Sequence, residues 1–175
     1  MCKIDNVILL KKNLKVNGEI IKKFKFGLFN YKVVTEEQRI LNFYFIVLKE
    51  RETDVIFEFT PYTQLLRYST KTIDTRQHQT IRQLGVFICT FLNYVLIDMY
   101  EKCKIYDLRD ITIEHGNSFL DAYASGKIGG KVKRLQTIED CAERLTILYS
   151  KIKKIYKSQA KNIYKYNFRE VSEDG

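Results

Sequence analysis

The sequence predicts an α+β fold, with antiparallel β hairpins on the N-terminal side followed by a four-helix bundle. Two observations carry this. Up to residue 60 the apolar residues come in short β-branched and aromatic runs, and from Thr60 onward they recur at steps of three and four, the patterns of strand and helix respectively. Among 175 residues only 8 are glycine and 1 is proline, and 45% are hydrophobic. That suits regular structure around a packed core.

The strands come first. Asn17-Gly18 is a hairpin-turn dipeptide, with Leu14-Lys-Val before it and Ile20-Ile21 after it. Two further runs, Ile40 to Leu48 and Val55 to Phe59, flank the charged link KERETD, which has turn composition. At Thr60-Pro61 a capping residue precedes proline at a first helical position, and a short helix over PYTQLLRYS is expected.

A long second helix follows, capped by Asp74 or Thr75. Its seam is Ile81, Leu84, Ile88, Phe91, Val95 and Met99. No charge lies between Arg82 and Asp98, so its second half is expected at the centre of a bundle, with Gly85 marking close helix contact. A third helix starts near Thr112, buries Phe119, Leu120 and Tyr123, and ends at Gly126. The fourth opens on a capping-box pattern, Thr137-x-x-Asp140. Its seam is Ile138, Cys141, Leu145, Leu148, Ile152 and Ile155, with Lys151, Lys154, Lys157, Lys161 and Lys165 as a basic strip beside it. The expected division is a β-rich region over 1–60, a helical domain over 61–157 and a basic tail over 158–175.

The formal charge is +9 and the pI about 9.3, which favours a polyanionic partner. The charge is local. From Lys127 to Arg169 there are twelve Lys/Arg against three Asp/Glu, whereas the rest of the chain holds eighteen of each. Cys2, Cys89, Cys103 and Cys141 form no C-x-x-C pair, and His78 and His115 stand in unrelated contexts. No metal, disulfide framework, cofactor or catalytic Ser/Cys–His set is expected. Scattered thiols fit a reducing, cytoplasmic compartment. Val7 to Leu10 is too short for a secretory signal core, and Val86 to Met99 is too short to span a bilayer and contains Thr90, Asn93 and Asp98. No membrane partner is expected.

The basic region opens on GKIGGKVKRLQTIEDC, residues 126 to 141. A P-loop would need glycine at 125, which is Ser, and Ser or Thr after Gly130-Lys131, where Val132 stands. Gly126-Lys-Ile-Gly129 also has the G-x-x-G form of a KH clamp for single-stranded RNA, but a long helix follows where that fold needs strands. The remaining readings are a solvated basic connector and a phosphate-holding loop, in which lysines and the next helix's first-turn amides face an anion.

The order of elements resembles a known family. FYFIVLKERETDVIFEFTPYTQLLRYSTKTIDTRQHQTIRQLGVFICTFLNYVL has a strand pair, a short helix with spaced Tyr and Leu, and a Thr-led helix with an aromatic-rich apolar half. LRDITIEHGNSFLDAYASG, a basic loop and TIEDCAERLTILYSKIKKIYK then look like the second half of the same module. Over residues 43 to 157 the pattern resembles the core-binding, SAM-like domain of phage-type tyrosine recombinases (integrases). The resemblance implies a four-helix orthogonal bundle that grips double-stranded DNA at a crossover site, alongside other recombinase protomers. It places contacts at Thr75, Arg76, Gln79 and Arg82 on the second helix. Others fall at Lys127, Lys131, Lys133, Arg134, Thr137 and Arg144 in the loop and fourth helix. The family's chemistry lies in another domain with a His-x-x-Arg motif and a nucleophilic Tyr. Here His78 is followed at that spacing by Ile81 and His115 by Ser118, so the chain is expected to hold DNA without cutting or joining it. The competing class is an α+β protein-interaction module.

Overall fold

The computed structural model describes residues 22–66, 75–99, 102, 105 and 108–156. The architecture is α+β, a three-stranded antiparallel sheet followed by helices. The chain divides into two compact units, 1–106 and 107–175. The Asn17-Gly18 hairpin, the Asp74 cap, residues 67–69 of the short helix, the lysines beyond 156 and the tail lie outside the described residues.

In the first unit the strands are β1 (Phe24–Val34), β2 (Ile40–Glu50) and β3 (Ile56–Phe59), in the order β1-β2-β3. The β1–β2 register runs from Phe24 opposite Glu50 to Val34 opposite Ile40. β2 is the central strand, and its Ile46, Val47 and Leu48 are buried. Thr60 does not cap a helix. Its hydroxyl donates to the Ile46 carbonyl (2.7 Å), while the Ile46 N–H donates to Thr63 Oγ1 (2.9 Å). The Thr60 N–H also donates to that carbonyl (3.1 Å), so past the end of β3 it is the Thr63 hydroxyl that keeps the Ile46 N–H from being buried unpaired. Pro61–Leu66 forms one 3₁₀ segment.

Helix α1 (Thr75–Leu92) packs on the sheet. The expected boundary at residue 60 therefore falls inside a unit, because the apolar side of this helix covers the sheet's apolar face. Gly85 marks close contact, but with a strand. A Cβ there would lie 2.6 Å from Leu28 Cδ1. The run Gln79–Asp98 is apolar and long enough to cross a membrane by composition alone. Here Ile88, Phe91, Leu92 and Val95 to Ile97 are buried against protein.

After Leu92 the helix widens into a π-helical turn, Asn93–Asp98, with Met99 N–H reaching the Tyr94 carbonyl at 2.9 Å. Asn93 gives the reason. Its Oδ1 accepts from the Phe26 N–H (2.6 Å) and its Nδ2 donates to the Phe26 carbonyl (3.0 Å). One side-chain amide thus stands in for a neighbouring strand at β1.

The second unit contains a 3₁₀ turn (Leu108–Asp110), α2 (Ile113–Ala124) and α3 (Leu135–Tyr156). Thr112 is the N-cap of α2 as expected, and its N–H donates to His115 Nδ1 at 3.0 Å. Ile138, Cys141, Leu145, Leu148 and Ile152 are buried along α3, and Ile155 emerges at its end. Gly116 lets the two helices approach. A Cβ there would come within 2.7 Å of Tyr149 Oη, whose hydroxyl donates to the Thr112 carbonyl at 2.6 Å.

Candidate nucleic-acid interface

The turn between α2 and α3 is a folded structure rather than a slack link. Gly126, Gly129 and Gly130 have φ of +84°, +80° and +75°, values that L-residues with a Cβ adopt at a cost. Gly126 is also needed for space, since a Cβ would meet the Lys131 carbonyl carbon at 2.8 Å and the Val132 nitrogen at 3.0 Å. The turn ties back to the preceding helix. Ile128 N–H donates to the Ala122 carbonyl (3.1 Å) and Lys133 N–H to the Ala124 carbonyl (3.0 Å). These bonds satisfy carbonyls that a helix C-terminus leaves open.

With the backbone settled internally, the side chains face outward. Lys127, Lys131 and Arg134 are exposed, and Val132 at the tip is 79% exposed. No acid lies between Asp121 and Glu139. Lys133 is half-buried, with its ammonium 5.3 Å from the centroid of the Tyr123 ring, and that ring stacks on Phe119 at 6.2 Å. This cation–π contact holds Lys133 against the helix. Burial pushes the Tyr123 phenol up and the Arg144 guanidinium pulls it down. Besides Lys133 at its ring, Tyr123 thus feels the charge of Arg144. The sequence marked it only as a buried edge. Its place one turn before the glycines was the available signal.

The fourth-helix capping box does not form. The helix begins at Leu135, and its first backbone bond runs from Ile138 N–H to the Arg134 carbonyl at 3.1 Å. Thr137 is thus the third helical residue, and Asp140 accepts from Gln136 Nε2 at 3.0 Å. The Lys133–Ala124 bond sets the chain on its helical course before Thr137 is reached. Arg144 is exposed and follows Thr137 by seven residues, about two turns along the same side.

The expected DNA-contacting residues fall in different units. Lys127, Lys131, Lys133, Arg134, Thr137 and Arg144 come together on the turn and α3. Thr75, Arg76, Gln79 and Arg82 lie on α1. Gln79 and Arg82 are exposed, and burial raises the Tyr44 phenol while the Arg82 charge opposes that rise. The side chains of Thr75 and Arg76 lie outside the described residues.

Burial pushes the thiols of Cys89 and Cys141 up to about 12, so both remain protonated and poorly nucleophilic at neutral pH. Among the described residues no group of three His, Cys, Asp or Glu is placed to hold a metal. Burial lowers Lys151 to about 8, which sets it apart from the solvated lysines around it. No protein-family model, curated protein or solved structure matches the chain.

Proposed function

We propose that this chain holds duplex DNA, as a non-catalytic module of the kind that tyrosine recombinases use to grip a crossover site, with its helices forming the SAM-like bundle of that domain. The supporting observation is the turn 126–134. Three left-handed glycines and bonds to the helix behind it fix its backbone, so its outward groups are Lys127, Lys131 and Arg134 beside the first-turn amides of α3. Phosphates are met by cations on a settled backbone, at a helix end of positive potential. Binding of this kind is salt-dependent and largely indifferent to sequence. Base preference then comes from longer side chains such as Arg144 and, on α1, Gln79 and Arg82.

Fluorescence anisotropy with labelled duplex DNA, single-stranded DNA and single-stranded RNA of equal length tests the reading. Duplex preference that persists near physiological salt supports it. Preference for single-stranded RNA returns the turn to a KH-like role. Equal, weak binding to all three leaves the turn as a solvated connector.

A further inference from the structure

The hairpin of the first unit carries a second surface. The N–H and C=O of Phe26 both bond to Asn93, away from β2. Alternation along an antiparallel strand then puts the backbone groups of Leu28, Asn30, Lys32 and Val34 on the same outer edge of β1. Among the described residues this edge is closed at one end. Arg51 Nε donates to the Phe24 carbonyl (3.0 Å) and Asn93 takes Phe26. Among the described residues no hydrogen bond reaches the outward backbone of Leu28, Asn30, Lys32 or Val34. The opposite edge is protected differently, since β3 is four residues long and carries Glu58, a short charged edge. Apolar side chains gather where β1 is open. Tyr31 is 55% exposed and Val34 67%, with Ile40, Leu41 and Phe43 exposed beside them.

We propose that this edge pairs with the same edge of a second copy, β1 against β1 about a two-fold axis at Tyr31. The register follows from two residues. Centring on Lys32 would set two ammonium groups opposite each other, and centring on Asn30 would set Val34 against Phe26, whose edge Asn93 already occupies. Centring on Tyr31 leaves Lys32 opposite Asn30 and uses the whole open segment. It also places Leu28 beside Val34 and Phe29 beside Val33, apolar pairs that stabilise a sheet. Such an isologous contact closes on itself.

Sedimentation velocity of the full chain without nucleic acid, over a wide concentration range, reads the association directly. A reversible dimer is expected. Lys32→Pro removes an outward N–H that β2 does not use, so proline is tolerated there, and dimer affinity is expected to fall at least about tenfold. Tyr31→Cys provides a readout that does not depend on how well the Lys32→Pro variant folds, because facing residues of a non-hydrogen-bonded pair lie about 4.5 Å apart at Cα. Under mild oxidation it is expected to give a covalent dimer that the parent chain does not. Phe29→Cys alone is expected to stay uncrosslinked, and Phe29→Cys mixed with Val33→Cys to crosslink. A chain that stays monomeric at every concentration overturns the proposal. So does a dimer that Lys32→Pro leaves intact and Tyr31→Cys does not trap.

Discussion

The basic turn and the open end of the β1–β2 hairpin are both exposed, and they differ in what the backbone leaves available. In the turn, Ile128 and Lys133 return their N–H groups to α2, so charged side chains are what remain for a partner. Along β1 beyond Phe26 the side chains are nearly uncharged, and the outward backbone groups meet no hydrogen-bond partner among the described residues. A partner at the first surface is recognised by charge and weakened by salt. A partner at the second is recognised by main-chain hydrogen bonds and apolar packing, and is far less sensitive to salt. If both proposed contacts form, a salt series separates them.

The largest effect is expected where β1 passes from capped to open. Asn93→Ala leaves both Phe26 backbone groups without their partner and is expected to cost the first unit about 2–3 kcal/mol. Urea denaturation measures this, and hydrogen exchange at the Phe26 amide should accelerate with it. An unchanged amide would mean that Asn93 is not what closes this edge.

Next come the glycines. Gly126→Ala combines a positive φ with a backbone clash and is expected to cost the second unit about 2–3 kcal/mol, whereas Gly130→Ala, with nothing within 4 Å, should cost about 1 kcal/mol for its φ alone. Equal losses in thermal denaturation would show that the turn is looser than its hydrogen bonds indicate.

Tyr149→Phe removes a hydrogen bond to Thr112 and is expected to cost about 1 kcal/mol. The smallest effect is at Lys151, whose pKa falls to about 8 in the folded chain. The unfolded state then binds more protons between about pH 8 and the ordinary lysine value near 10.4, so this residue makes stability rise with pH across that window. Its ammonium is only partly buried, and solvent screening leaves an effect of about 1 kcal/mol. Lys151→Met should stabilise the chain by that amount at pH 7 and remove this part of the pH dependence. Cys141, with its folded pKa raised to about 12, acts in the opposite sense above the ordinary thiol value, so the comparison is between parent and Lys151→Met.

Much of the second unit was legible in the sequence. The three-four spacing located α3 and its buried seam, and Thr112 and Gly126 bounded α2, because local signals decide those features. β1 was not among the runs singled out as strands. In FKFGLFNYKVV both alternating sets contain apolar residues, Phe26 and Leu28 on one face and Phe29, Tyr31 and Val33 on the other, which blurs the period-two signal. The π-helical turn left no periodic trace, because it depends on a distant strand needing the Asn93 amide. Its clue was a polar residue inside an apolar run. At the basic turn the glycines and lysines were visible, but not that Lys133 would lie over Tyr123 while Lys127, Lys131 and Arg134 face outward. The helix start shifted from Thr137 to Leu135 for a similar reason, a backbone bond from the turn to α2.

The most direct test of the central claim compares the salt dependence of duplex-DNA affinity for the parent chain and for a Lys127→Ala, Lys131→Ala, Arg134→Ala variant. Each phosphate contact adds about 0.9 to the slope of log affinity against log salt. A slope flatter by about 2–3 in the variant, with affinity lowered alike on unrelated sequences and folding intact, is the predicted result. An unchanged slope would contradict a phosphate-holding role for the turn.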